Sequence, residues 1–273
     1  MHHEPSNHAS FLFTDLFFGI SALLAIGFYI GAVLVTNQRG HLRKWSLLRT
    51  SSFVTGVLFA AAAVVGPLSR QSYADFTAHM MGHLLLGMLA PLLIALAAPM
   101  TLLLRTLNVH VARKLSRLLQ RHPIRFFTHP IVASILNIGG LWLIYTTNLY
   151  AAMHTNLLLH VFIHIHVFIA GYFFTISLLY IDPVSHRLSF PYRTTVFILA
   201  LAGHGILSKF IYAYPPEGIP EEQARTGALL MYYGGDAVDL LLIFILFRQW
   251  YKFGRPRAGA KSILPNKNQP MKV

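Results

Sequence analysis

The amino-acid sequence predicts an all-α polytopic membrane bundle of seven transmembrane helices, with the N-terminus outside the cell and the C-terminus in the cytoplasm. Three observations predict it. Apolar residues make up 55% of the chain and charged residues only 11%, a balance that suits lipid as the solvent. The apolar residues gather in runs of about 20, the length that crosses roughly 30 Å of hydrocarbon. The Lys and Arg residues collect between alternate runs.

The runs fall near residues 11–35, 46–66, 80–104, 131–151, 157–181, 194–214 and 228–247. An odd count puts the termini on opposite sides. Arg39, Arg43, Lys44 and Arg49 follow the first run, and six cations from Arg105 to Arg125 follow the third. Arg187 and Arg193 follow the fifth, and the tail from Arg248 to Lys272 holds seven more. Nineteen of the 22 basic residues thus share one side, which the positive-inside rule makes cytoplasmic. Arg70 and Arg225 fall on the other side, and Lys209 lies within a run.

A formal net charge of +13 would point to nucleic acid in a soluble protein, but these cations form no continuous stripe with interleaved aromatics. They are read as topology determinants that meet the lipid bilayer, with no nucleic acid as partner. The absence of cysteine excludes disulfides and thiolate metal sites, and leaves His, Met and carboxylates as metal ligands. Residues 1–10 lack the basic start of a cleaved signal and are expected to form an extracytoplasmic segment. Residues 11–250 form the membrane domain, and 251–273, rich in Pro, Lys and Gly, are expected to be a disordered basic tail.

Within the runs, Gly27 and Gly31 make a G-x-x-x-G, and Ala60 to Ala63 supply further small residues, both expected to pack helices closely. The segment 105–130 reads as a basic loop, with a short amphipathic helix as the alternative, because Leu115, Leu118 and Leu119 alternate with Arg113, Arg117 and Arg121.

Fifteen histidines are many for 273 residues, and their positions matter more than their number. His79 and His83 open the third run, and His160 and His164 lie in the first half of the fifth. Residues four apart share a helix face about 6 Å apart along the axis, so each helix presents two imidazoles in one direction. Both runs cross from outside to inside, which sets the pairs at the same depth in the outer leaflet. Together they could supply the nitrogens of a copper site, with thioether help from Met80, Met81, Met153 or Met231. Ionisable groups at membrane depth are costly, and are functional candidates for that reason. His166, about 200° around the helix from His164, is expected to face another helix or headgroups.

His204 and Lys209 in the sixth run and Asp236 and Asp239 in the seventh add further polar groups. Lys209 and Asp236 are expected to form an intramembrane ion pair. In a functional role His204 is a further ligand, and Asp236 holds an imidazole N–H or relays a proton. The Met1-His2-His3 terminus could chelate Cu(II), but a tail without a role is the simpler reading. No nucleophile with a base at usable spacing, phosphate-binding glycine loop or nucleotide fingerprint is present, so no enzyme is expected.

The segment HMMGHLLLGMLAPLLIALAAPMTLLLR at 79–105 resembles the most characteristic stretch of the CtaG family of cytochrome c oxidase assembly factors. Further similar segments follow in family order: HVFIHIHVFIAGYFF at 160–174, IDPVSHRLSFPYR at 181–193, HGILSKFIYAYPP at 204–216 and EEQARTGALLMYYGGD at 221–236. The chain departs from the family at Ile163, where many members have Glu, and at Tyr232, where Trp is usual. The resemblance covers roughly residues 75–240. It implies seven spans in a bacterial plasma membrane and a part in maturing a haem-copper oxidase, through copper delivery or insertion. Carried over by position, the matching histidines are His79, His83, His160, His164 and His204. The implied partners are an oxidase subunit and an extracytoplasmic copper carrier. Rival readings are a b-type haem protein with His83 and His164 as axial ligands, a copper or proton transporter using His204 and Asp236, and a scaffold that binds no metal.

Overall fold

The computed structural model describes residues 4–40, 42–184 and 187–254, with side chains from residue 12 to residue 252. The terminal His-His motif and the tail from 255 onward lie outside the described residues. Every regular element described is helical: α1 Glu4–Gln38, α2 Leu47–Val64, α3 Pro67–Gln71, α4 Phe76–His83, α5 Ala90–Leu96, α6 Pro99–Thr106, α7 Val109–Leu119, α8 His122–Phe127, α9 Pro130–Ser134, α10 Gly140–Thr146, α11 Leu149–Thr155, α12 Leu157–Leu178, α13 Phe190–Ala213 and α14 Glu221–Gly254. Widened π-helical turns join α4 to α5 at Leu84–Leu89 and α9 to α10 at Ile135–Gly139. Six helical segments are long and apolar enough to cross a bilayer. A seventh span exists only if Pro130–Thr146 and Leu149–Thr155, bent by 79° at Thr147 and Asn148, count as one.

The axis of the bundle is the segment Phe76–Leu96, of which 67% is buried, against 6% for α1 at the rim. Its middle is shaped by Pro91, which has no N–H to offer the carbonyl of Gly87 and crowds it. The helix widens here into the π turn, with Ala90 N–H bonding Leu85. Into this gap fits α12: a Cβ built on Gly171 would lie 2.0 Å from the Gly87 carbonyl oxygen, a contact with backbone that no rotamer relieves. Helix α14 meets the same axis through two more glycines, Gly227 against Phe76 and Gly234 against Leu84. By contrast, a Cβ on Gly27 or Gly31 would meet nothing within 4 Å, so among the described residues the G-x-x-x-G of α1 makes no close helix contact.

The span expected at 80–104 ends early. Pro99 excludes helical geometry at the residue before it, and Ala98 turns to φ +53°. The new helix α6 starts on an acidic cap from the connection after α12: Asp182 accepts from Met100 N–H at 3.1 Å, Thr101 N–H at 2.7 Å and Thr101 Oγ1 at 2.6 Å. Arg39 completes α6 at its other end by donating to the carbonyls of Arg105 and Thr106, both at 2.6 Å. The α1–α2 connection is pinned beside it: Trp45 Nε1 donates to the Tyr29 hydroxyl at 3.0 Å, which donates to the Ala97 carbonyl at 2.9 Å. At the opposite end Asp15 of α1 pairs with Arg70 at 2.8 Å and accepts from Gly66 N–H, tying the rim helix to α3.

Three further expectations change. The 105–130 segment forms helices α7 and α8 rather than a loop. Helix α14 runs to Gly254, so 251–254 are helical and not tail, while α1 already begins at Glu4 inside the segment expected to precede the first span. The fourth run is broken rather than straight, because Thr147 adopts extended backbone.

Gly171→Ala forces α12 away from the π turn and is expected to cost about 1–3 kcal/mol or more, read as a lower thermal unfolding temperature in detergent. Gly27→Ala should change it by less than about 0.5 kcal/mol. Asp182→Ala, which strips the cap from α6, should cost about 1–2 kcal/mol in the same measurement.

Candidate histidine site

The end of the bundle near Tyr73, α11 and the start of α12 is dense in imidazole and phenol. The break after α10 is what brings α11 there: its 79° bend carries Tyr150, Met153 and His154 over the start of the axial helix. His79 Nε2 lies 3.0 Å from the Tyr145 hydroxyl, and its ring packs edge-on against Tyr150 at 5.0 Å. His154 packs against Tyr150 at 4.8 Å and Tyr73 at 5.1 Å, and lies 6.4 Å from His79. The Tyr73 hydroxyl stands 3.1 Å from His160 Nδ1. Burial pushes the Tyr73 phenol up to about 12, so it remains a hydrogen-bond donor at physiological pH. His160 and His164 are neighbours on α12 with ring centroids 4.2 Å apart, and His164 Nδ1 lies 2.8 Å from the His160 carbonyl, which makes that nitrogen the N–H donor.

Beyond this outer group, two small cavities follow one another along the axis. The first, about 30 Å³, is lined by His79, His83, His164, Met153 and Ile163 among others. The second, about 20 Å³, is lined by His83, His204, Asn137, Thr175 and Asp239. His83 belongs to both. Its ring lies 6.3 Å from that of His204 at an interplanar angle of 27°, so a pair from α4 and α13 faces the second cavity. The Nε2 atoms of His83 and His204 are fully buried without a hydrogen-bond partner, as are both ring nitrogens of His154. His204 is seated against Gly235, where a Cβ would stand 2.5 Å from its Cε1.

The expected ligands are therefore brought to one end of the bundle but not to one point. Helical spacing holds for His160 and His164, whereas His79 and His83 serve different neighbours, Tyr145 and His204 respectively. Among the described residues no three His, Asp or Glu side chains are grouped closely enough to grip one ion. Of the methionines, Met153 lines the first cavity, Met80 is buried against Gly227 of α14, Met231 is buried in the core cluster and Met81 is 39% exposed. His166 does face another helix, with Nε2 3.1 Å from the Leu136 carbonyl in the second π turn and its ring seated on Gly140.

The expected Lys209–Asp236 ion pair is not formed. Lys209 and Asp236 both lie on exposed faces, and the ammonium sits 5.4 Å from the centre of the Tyr232 ring instead. The residue that faces the second cavity is Asp239, three positions on and only 4% exposed. Sequence reasoning also passed over Tyr73, Tyr145, Tyr150 and His154. His154 falls between the fourth and fifth apolar runs and so carried no signal of membrane depth, and the tyrosines left none, because their role depends on the bend before α11.

Comparison with known proteins agrees with the segments noted in the sequence. A curated relative from Mycobacterium bovis and another from Mycobacterium tuberculosis, both described as uncharacterized proteins, are 30% identical over 199 residues, covering 70% of this chain. One from Mycobacterium leprae is 28% identical over 207 residues, covering 72%. The chain spans only about 30% of the length of these relatives. No solved structure matches. The model of the cytochrome c oxidase caa3 assembly factor family, Caa3_CtaG, matches residues 27–252, which include every element that builds the two cavities, and the chain belongs to that family.

Proposed function

We propose that this assembly factor carries copper, as Cu(I), through the two histidine cavities and hands it to a subunit of a haem-copper oxidase. The observation that carries the reading is the pair of buried Nε2 atoms on His83 and His204, which no hydrogen bond satisfies. A buried polar atom left unpaired costs about 1–3 kcal/mol, and a bound ion would offset that cost. A cation is also costly in an apolar interior. Asp239 in the same cavity offsets the charge of a monovalent ion, which the first cavity, with no carboxylate in its lining, does not do.

In this proposal the bundle has seven spans with its histidine end outward. The ion arrives from an extracytoplasmic carrier at His79, His164 and Met153, and passes by exchange at His83 to the His83–His204 pair. Imidazole and thioether ligands without thiolate hold Cu(I) loosely enough to release it. A two-coordinate bridge needs the two nitrogens roughly 4 Å apart, since each metal–nitrogen bond is about 2 Å. The His83 and His204 rings, 6.3 Å apart between centres, are the pair that would supply those two nitrogens. Cavities of 20–30 Å³ suit an ion or a single water, and a porphyrin between His83 and His164 would need the helices to part. That favours copper over haem.

Purified wild-type protein loaded with Cu(I) should retain about one ion per chain. His83→Ala and His204→Ala should each lower its affinity at least about tenfold and leave oxidase in the host membrane short of copper. His110→Ala on the exposed α7 should change neither. Gly235→Ala, which crowds the His204 ring, is expected to weaken copper retention as well. Full copper retention by the His83→Ala, His204→Ala double variant, or a Soret band in the purified wild type, would sink the proposal.

A further inference from the structure

The end of the bundle opposite the histidines holds a much larger cavity, about 930 Å³, between the α1–α2 connection and the ends of three helices. Six cations line it: Arg43, Lys44 and Arg49 from the α1–α2 turn and the start of α2, Arg105 from α6, and Arg248 and Lys252 from α14. Among the described residues none of them pairs with a carboxylate; the ion pairs present are Asp15–Arg70 and Glu221–Arg225, at the other end. Asp182 is occupied in capping α6. Six like charges around one space repel one another, and an anion placed among them relieves that repulsion.

The cavity is built rather than incidental. Trp45, only 6% exposed, forms part of its wall, with the guanidinium carbons of Arg49 and Arg105 at 4.9 and 5.2 Å from its ring centre. The indole is held in place, because its Nε1 donates to the Tyr29 hydroxyl and the Trp45 backbone N–H donates to Asn37 Oδ1 at 2.7 Å. Tyr29 in turn stacks on Phe53 at 3.9 Å. Two cations of the six are thereby held in place over a fixed aromatic plane.

Apolar surface adjoins the charge. Leu47 and Leu48, next to the lining residue Ser46, are 85% and 79% exposed, and Trp250 and Tyr251 are exposed beside Arg248 and Lys252. A free phosphate would satisfy the cations and leave that wall bare, whereas a lipid covers both. We propose that this cavity binds the phosphodiester headgroup of an anionic lipid, phosphatidylglycerol or its doubly charged relative cardiolipin, with acyl chains lying along the start of α2 and the end of α14. Basic pockets between helix ends on the cytoplasmic side are suited to such headgroups. The volume exceeds one phosphate and accommodates a headgroup with two. The inference is independent of copper.

The test uses the full chain, delipidated and reconstituted in phosphatidylcholine nanodiscs containing a small fraction of phosphatidylglycerol or cardiolipin. Lipid retained after extraction into mild detergent is counted by native mass spectrometry. Wild type should retain the anionic lipid over phosphatidylcholine, and Arg43→Gln with Lys44→Gln should weaken retention roughly fivefold per charge removed. Both side chains are exposed, so this variant leaves the packing intact. Removing the same charge from α7, as Arg113→Gln with Lys114→Gln, should leave retention unchanged. Equal loss from the two pairs would reduce the effect to general surface charge and overturn the site. Equal retention of phosphatidylcholine would overturn it too, as would displacement of the lipid by inorganic phosphate at constant ionic strength, which would make free phosphate the occupant.

Discussion

The close crossing of α12 over the π turn at Gly87 and Gly171 is the contact on which the rest of the arrangement depends. Pro91 removes one hydrogen bond and widens the axial helix, and the absence of a side chain at 171 lets another backbone enter at that level. His83 lies one turn from Gly87, and His164 two turns from Gly171, so the crossing decides how far apart those imidazoles stand. A side chain at Gly171 would collide with the Gly87 backbone, and one at Gly87 would press on Val167 and the His83 ring. The glycines of α14 repeat the device on the other side, since Gly234 admits Leu84 and Gly235 admits the ring of His204.

The two ends of the bundle are stabilised by different physics. At the basic end, loops and helix termini are closed by directed hydrogen bonds: Asp182 on the start of α6, Arg39 on its finish, Tyr29 between Trp45 and Ala97. Such bonds fix geometry to within a few tenths of an ångström, which suits a wall meant to hold cations apart. At the histidine end the contacts are ring against ring, among Tyr73, Phe76, Tyr145, Tyr150 and the imidazoles. Edge-to-face pairs are worth only about 0.5–1.5 kcal/mol each, so this end can shift rotamers at low cost. The buried imidazole nitrogens without partners belong to this softer part of the bundle.

Much of the fold was legible in the residues. Six of the long apolar helices lie where runs of about 20 apolar residues placed them, because a helix in lipid must satisfy its backbone internally and carries its own length requirement. The family was legible too, in motifs long enough to be specific. Less could be read where small residues were concerned. Gly27 and Gly31 have motif spacing and stand against open space among the described residues, whereas Gly171, without such spacing, meets bare backbone.

Sequence alone determined which residues share a helix face, because the 3.6-residue period is local and fixed by backbone sterics. That sufficed to place His160 beside His164 and to turn His166 away. It could not determine how each helix is rotated about its axis or where it breaks, since both follow from contacts between segments far apart in the chain. Tertiary structure therefore decided that Asp239 lines the second cavity with His204, that Lys209 rests over Tyr232, and that the bend after α10 brings Tyr150 and His154 to the histidines. The reason is geometric: a rotation of about 100° exchanges one residue for the next on a helix face, and only the packing of neighbours fixes that angle.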